Sequence, residues 1–136
     1  MTGRRVLQAA AAYNAAWGAV AILAPNRLAR LLGFSSEGDG MGWRAAGVVL
    51  LAYAPAYLWA ADHPREARPI LATAVLGKAI GGAGWVVGAL TGRFRMRTLV
   101  LPAFNDFLWL PGLARLLAAN QPARSERSSG ARTHDG

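Results

Sequence analysis

Four long apolar stretches, separated by short polar connections, make up most of the chain. They run over 6–24, 42–61, 69–91 and 98–119. A helix rises about 1.5 Å per residue, so stretches of this length reach roughly 30 Å, the thickness of a bilayer's hydrocarbon core. None shows the strict polar–apolar alternation of a half-buried strand. The pattern predicts an all-α fold, a four-helix transmembrane bundle over 1–119. The connections are only a few residues long, which makes consecutive spans neighbours in up-down-up-down order. Pro25 ends the first span, because proline lacks the N–H that would continue the helix. Residues 26–34 (NRLARLLGF) read as a short interfacial helix, with Leu28, Leu31 and Leu32 on one face and Arg27 and Arg30 elsewhere. Residues 35–40 (SSEGDG) form a polar turn. Trp43 and Trp59 stand near the ends of the second span as an aromatic belt would place them. Arg44 lies just inside its start, and Pro55 predicts a kink. Residues 120–136 are rich in Ser, Arg and Gly and predict a disordered basic tail.

Composition sharpens this picture. The 136 residues are 54% hydrophobic and only 16% charged, where an ordinary soluble domain has about 25% charged residues. The charges crowd into the leader, the turns and the tail. Net charge is +8, carried by fourteen arginines and one lysine. No basic stripe with interleaved aromatics lies outside the connections, so the expected partner is anionic lipid and not nucleic acid. The arginine, alanine and glycine bias fits a bacterium with a GC-rich genome, and so a bacterial cytoplasmic (inner) membrane. Eight arginines on the side of the termini against six on the other favour both termini in the cytoplasm. A basic leader before an apolar run also describes a secretory signal, with Ala19-Val20-Ala21 as a cleavage site. The 19-residue length and the interruption by Tyr13-Asn14 favour a retained helix. There is no cysteine, and the histidines are His63 and His134 alone. That composition excludes disulfides, iron–sulfur ligation by cysteine and a bis-histidine haem inside the bilayer. No metal site and no resident cofactor are expected, with quinone the one candidate.

The residues that break the apolar pattern are the candidate chemistry. Lys78 lies in the third span and Asp106 in the fourth. Each costs about 2.5–3.5 kcal/mol at a helix centre, so mutual pairing is economical. Lys78 stands about 14 Å from the start of its span and Asp106 about 20 Å from the end of its own, within a lysine's reach. A functional reading makes the pair a proton relay or a polar anchor for a ligand. A structural reading makes it a buried ion pair that fixes helix register. Asn14 and Asn105 lie near the same depth. Asn105 should point about 100° away from Asp106 on a regular helix, so the two would not face one partner. Interhelical glue is the plainer role for Asn14. Pro111 frees the carbonyl of Phe107 beside Asp106 and hints at a cavity.

Gly77, Gly81, Gly84 and Gly88 form a stripe on the third span. It predicts close approach of a neighbouring helix within the bundle or a homodimer face. Tyr13, Trp17, Tyr53, Tyr57, Trp85, Phe104, Phe107 and Trp109 supply aromatic mass, as core, as belt, or as the wall of a lipophilic pocket.

Tyr13-Asn14-x-x-Trp17-Gly18, Pro25, Trp43, Asp62-x-Pro64, Gly77-Lys78 and Asn105-Asp106-x-x-Trp109 together resemble a group of small bacterial four-helix membrane proteins. In size and number of spans the chain is also similar to the DoxX-type membrane proteins. The resemblance implies the architecture and a faint redox connection, and carries over no catalytic residue. The leading expectation is a non-enzymatic membrane protein. It would bind a small lipophilic ligand or a membrane-protein partner around Lys78 and Asp106, with Asn14, Asn105, Tyr13, Trp17 and Trp109 nearby. The alternatives are a small proton-coupled transporter, with Asp106 as proton acceptor, and a quinone-linked redox accessory protein.

Overall fold

A computed structural model describes residues 2–32, 34, 40–93 and 95–120. The expected disordered tail, Asn120 apart, and most of the 35–40 turn lie outside these residues. The described chain is helical. Helix α1 spans Gly3–Leu23, α2 Pro25–Leu32, α3 Met41–Asp62 and α4 Arg68–Leu90. Three of these, α1, α3 and α4, are long and apolar enough to cross a membrane by length and composition. Their outer surfaces agree. Leu76, Ile80, Val87 and Leu90 form a stripe along α4, each 58–75% exposed. An exposed apolar surface of that extent is abnormal for a protein surrounded by water.

Helix α1 starts three residues ahead of the expected boundary. Arginine side chains are long enough to keep their charge in water from within a first turn. Arg4 there meets Asp62 at the end of α3, 2.9 Å apart and exposed. Helix α2 uses Pro25 as its first residue, where the missing N–H costs nothing. Its leucines divide. Leu28 is buried, while Leu31, about 60° around the helix, is 84% exposed. Helix α4 closes on Gly92, whose φ of 74° a side chain would oppose.

The fourth apolar stretch differs from the single helix expected over 98–119. It comprises a 3₁₀ turn (Met96–Leu99), one short turn α5 (Val100–Pro102), a π-helical turn (Ala103–Phe107) and α6 (Leu110–Ala119). Two prolines cause the break. Pro102 and Pro111 each withdraw an N–H from the ladder, and the backbone between them repairs itself with wider and tighter turns. The Leu108 N–H donates five residues back, to Ala103 O at 3.0 Å. The Trp109 N–H donates only three back, to Asp106 O at 3.2 Å.

Packing is uneven. Helices α1 and α3 lie antiparallel along their length, with Arg4 against Asp62 near one end and Gly18 against Gly47 further along. At that crossing a Cβ on Gly18 would stand 2.7 Å from the Gly47 carbonyl oxygen. Helix α4 packs instead on the broken segment, where Phe107 fills the space over Gly82. Between α3 and α4 the contact is slight. The core gathers towards the end where the chain begins, around Leu7, Ala10, Tyr57, Ala60, Leu71 and Leu113. Gly77, Gly81 and Gly84 of the α4 stripe make no close crossing within the bundle, one of the two roles expected of them. A Cβ on Gly77 or Gly81 would meet only ordinary neighbours, and one on Gly84 would meet nothing within 4 Å.

This contrast gives a paired prediction. Gly18→Ala should lower unfolding stability in detergent by about 1–3 kcal/mol, because backbone must move to admit the methyl group. Gly84→Ala should leave stability unchanged or raise it by about 0.5–1 kcal/mol. Equal effects in denaturant titrations would show that the α1–α3 crossing is not the tight joint.

Candidate functional site

The π turn creates the site. In a regular helix the Asn105 carbonyl would accept from the Trp109 N–H. Here that N–H has turned to Asp106 O, which leaves the Asn105 carbonyl available. Lys78 fills it. Its Nζ donates to Asn105 O at 2.5 Å and stands 3.7 Å from Asp106 Oδ1. Both charged side chains are 8% exposed. The Asn105 amide also donates to Asp106 Oδ1, at 3.0 Å. One ammonium is thus held by a backbone dipole and a carboxylate. The carboxylate is held in turn by the ammonium and an amide. A lysine buried with these partners avoids most of the cost of an isolated charge.

These groups face a cavity of about 330 Å³, lined by α1, α3, α4 and the π turn. Asn14, Lys78, Asn105 and Asp106 form its polar side. Tyr53 and Tyr57, one turn apart on α3, and Trp85 on α4 form its aromatic side, with their neighbours Val49 and Leu50. Gly77 and Gly81 make room. A Cβ on Gly81 would lie 3.7 Å from Asp106 Oδ2, and one on Gly77 would lie 3.5 Å from the Tyr53 hydroxyl. Gly77 and Gly81 therefore make space for the cavity, where a close helix crossing or a homodimer face was expected. At one edge Phe34 sits edge-on against both Trp43 and Trp85, with centroids 5.5 and 5.7 Å away.

Among the residues expected at the site, Lys78, Asp106, Asn105 and Asn14 come together. Asn14 does so without interhelical glue, since its Nδ2 donates to Ala10 O of its own helix at 2.8 Å. Asn105 and Asp106 share one partner, contrary to the expectation from regular helical angles, because Asn105 reaches Lys78 through its carbonyl. Tyr13 and Trp109 pair with each other, ring centroids 5.4 Å apart. They and Trp17 lie outside the cavity lining. Phe104 and Phe107 are 59% and 42% exposed. In the sequence Tyr53, Tyr57 and Trp85 do not stand out from the other aromatics. Their helical spacing, Tyr53 with Tyr57 and Lys78 with Gly81 and Trp85, was the signal that places them on two facing stripes.

Several polar atoms at this wall and beside it lack partners. Among the described residues, Asn105 Oδ1 and Trp109 Nε1 are sealed from solvent without a hydrogen bond. Among the same residues, Asp106 Oδ2 and the Tyr53 and Tyr57 hydroxyls likewise show no hydrogen bond to protein. Unmet hydrogen-bonding capacity is thus concentrated within and beside the cavity. Buried polar groups in folded proteins are normally satisfied.

Comparison with known protein families, curated proteins and solved structures returned no match to this chain.

Two substitutions test the electrostatics. Lys78→Met should cost about 3–5 kcal/mol, because it strands a buried carboxylate. Lys78→Met with Asp106→Leu should recover only part of that loss, since the Asn105 carbonyl stays without its donor. Full recovery in thermal or denaturant unfolding would mean that the carbonyl contact contributes nothing.

Proposed function

We propose that the protein is an integral membrane protein of the bacterial cytoplasmic membrane that binds a small lipophilic molecule beside Lys78 and Asp106. In this reading the three long helices and the broken fourth segment cross the bilayer as an up-down-up-down bundle. Both termini lie in the cytoplasm, and α2 rests in the head-group layer with Leu31 towards lipid. The arginine balance, the outward apolar stripe of α4 and the residue pattern that resembles small bacterial four-helix membrane proteins support this placement.

One observation carries the binding role: the buried ion pair borders open space. Fixing helix register calls for no open space beside the pair. Here the pair meets a cavity within the ordinary size range of small-molecule sites, apolar and aromatic over most of its wall with a few convergent polar groups. That division suits a molecule with an apolar body and a polar end. The composition of the wall offers no nucleophile–base arrangement, so binding is preferred over catalysis.

Native mass spectrometry of the protein in native lipid particles tests this reading. A bound lipophilic molecule should appear in stoichiometric amount. Gly77→Leu should remove it while circular dichroism and melting temperature stay unchanged, because the new side chain fills the cavity. A ligand-free wild-type particle, or equal retention by the variant, would refute the proposal.

A further inference from the structure

The cavity does not end at its own wall. A shallow apolar groove of about 460 Å³ runs along the outside of α3 and α4, over Val48, Ala52, Ala56, Pro69 and Ile70. It shares Val49 and Tyr53 with the cavity. This is the slightly contacted seam between the two helices. Val48 and Val49 are 58% and 57% exposed there. A polar chamber and an apolar channel therefore meet at one pair of side chains, and the channel opens on the surface that the membrane reading assigns to lipid.

The polar end of the chamber restricts what it can hold. Lys78 and Asp106 cancel, so the site has no net charge to offer. A carboxylate brought beside them would have to share the Lys78 ammonium and would leave one anion poorly paired. An added amine would compete with Lys78 for Asp106. Both alternatives bury an uncompensated charge, which is costly. A neutral head avoids that. The open groups also specify its hydrogen bonds. Among the described residues Asp106 Oδ2 accepts from no donor, and Gly81 leaves the space over it clear. An ionised carboxylate oxygen can only accept, so its partner must donate. The Tyr53 and Tyr57 hydroxyls can act either way. A ketone or quinone carbonyl, which has no proton to give, would leave Oδ2 unmet.

Resting on the ligand-binding reading above, we infer that the ligand is a neutral, hydroxyl-bearing lipophile with a flexible chain. Its O–H donates to Asp106 Oδ2, and its chain leaves past Val49 and Tyr53 to lie in the α3–α4 groove. The ligand enters sideways from the bilayer, so neither aqueous face has to open. Hydrogen bonds to charged groups are the stronger class, so losing this one should cost about ten-fold or more in affinity.

The test uses five probes: 1-hexadecanol, 2-hexadecanone, palmitic acid and hexadecylamine, which share a 16-carbon chain, and 1-octanol as the short-chain alcohol. Each is added to the full-length protein in lipid nanodiscs at equal mole fraction in the bilayer, and occupancy is read by native mass spectrometry. The alcohol should bind at least ten-fold more tightly than the ketone, and the two charged probes should be weaker than the alcohol. In Asp106→Asn the amide can present N–H where Oδ2 stood, so the alcohol-to-ketone ratio should fall to about one or below. Ala52→Phe, which narrows the groove, should weaken hexadecanol more than 1-octanol. Equal binding of alcohol and ketone by the wild type, or a preference for the acid, would overturn the head-group assignment while leaving a ligand site in place. Loss of both alcohols to the same degree in Ala52→Phe would overturn the path of the chain. If no probe binds, the ligand-binding reading falls together with this inference. The wild-type comparison stands on its own should Asp106→Asn not fold.

Discussion

The contact between the Lys78 ammonium and the Asn105 carbonyl is what the rest of this structure depends on. It joins the one lysine of the chain to the π turn, where the regular helical ladder has come apart. Each feature would be costly without the other. An irregular turn inside an apolar environment leaves carbonyls with no water to bond, and a lysine in the same environment lacks anything to solvate it. Each removes the other's deficit. Asp106 then adds charge compensation at a longer distance. Breaking the helix between Pro102 and Pro111 is thus part of the binding site for the ammonium.

The three long helices were legible from the sequence because they rest on a one-dimensional signal. Runs of apolar residues interrupted by charged turns mark their limits to within a few residues, apart from the extra turn that Arg4 and Arg5 add to α1. The fourth segment was legible as a stretch but not as a shape. Pro111 was a visible warning, yet the ladder's repair depends on where each freed N–H finds an acceptor, which only the folded backbone decides. The same gap explains Asn105. Helical angles turn its side chain away from that of Asp106, but the group that meets Lys78 is its carbonyl.

The site was legible in its polar half and obscure in its aromatic half. Lys78, Asp106 and Asn14 are conspicuous because they are expensive where they sit. Tyr53, Tyr57 and Trp85 are ordinary residues in apolar helices, and nothing in composition separates a wall from a core. The glycines illustrate the ambiguity. A small residue admits a backbone at Gly18 and Gly47, where the crossing is within van der Waals limits, and admits empty volume at Gly77 and Gly81. The deciding factor is the neighbouring helix, since α3 lies tight on α1 and stands off from α4.

The broken last segment has a further consequence for how the chain is made. If it crosses a bilayer as proposed, it carries a carboxylate near its middle and two prolines, so it is a poor candidate for insertion by itself. Lys78 lies earlier in the chain and is synthesised first. The favourable course is for α4 and the last segment to enter as one hairpin, lysine and carboxylate already joined. A chain released before residue 106 would leave Lys78 without its counter-charge. Quality control in the membrane would then have a simple cue for an unfinished molecule, an uncompensated ammonium on α4.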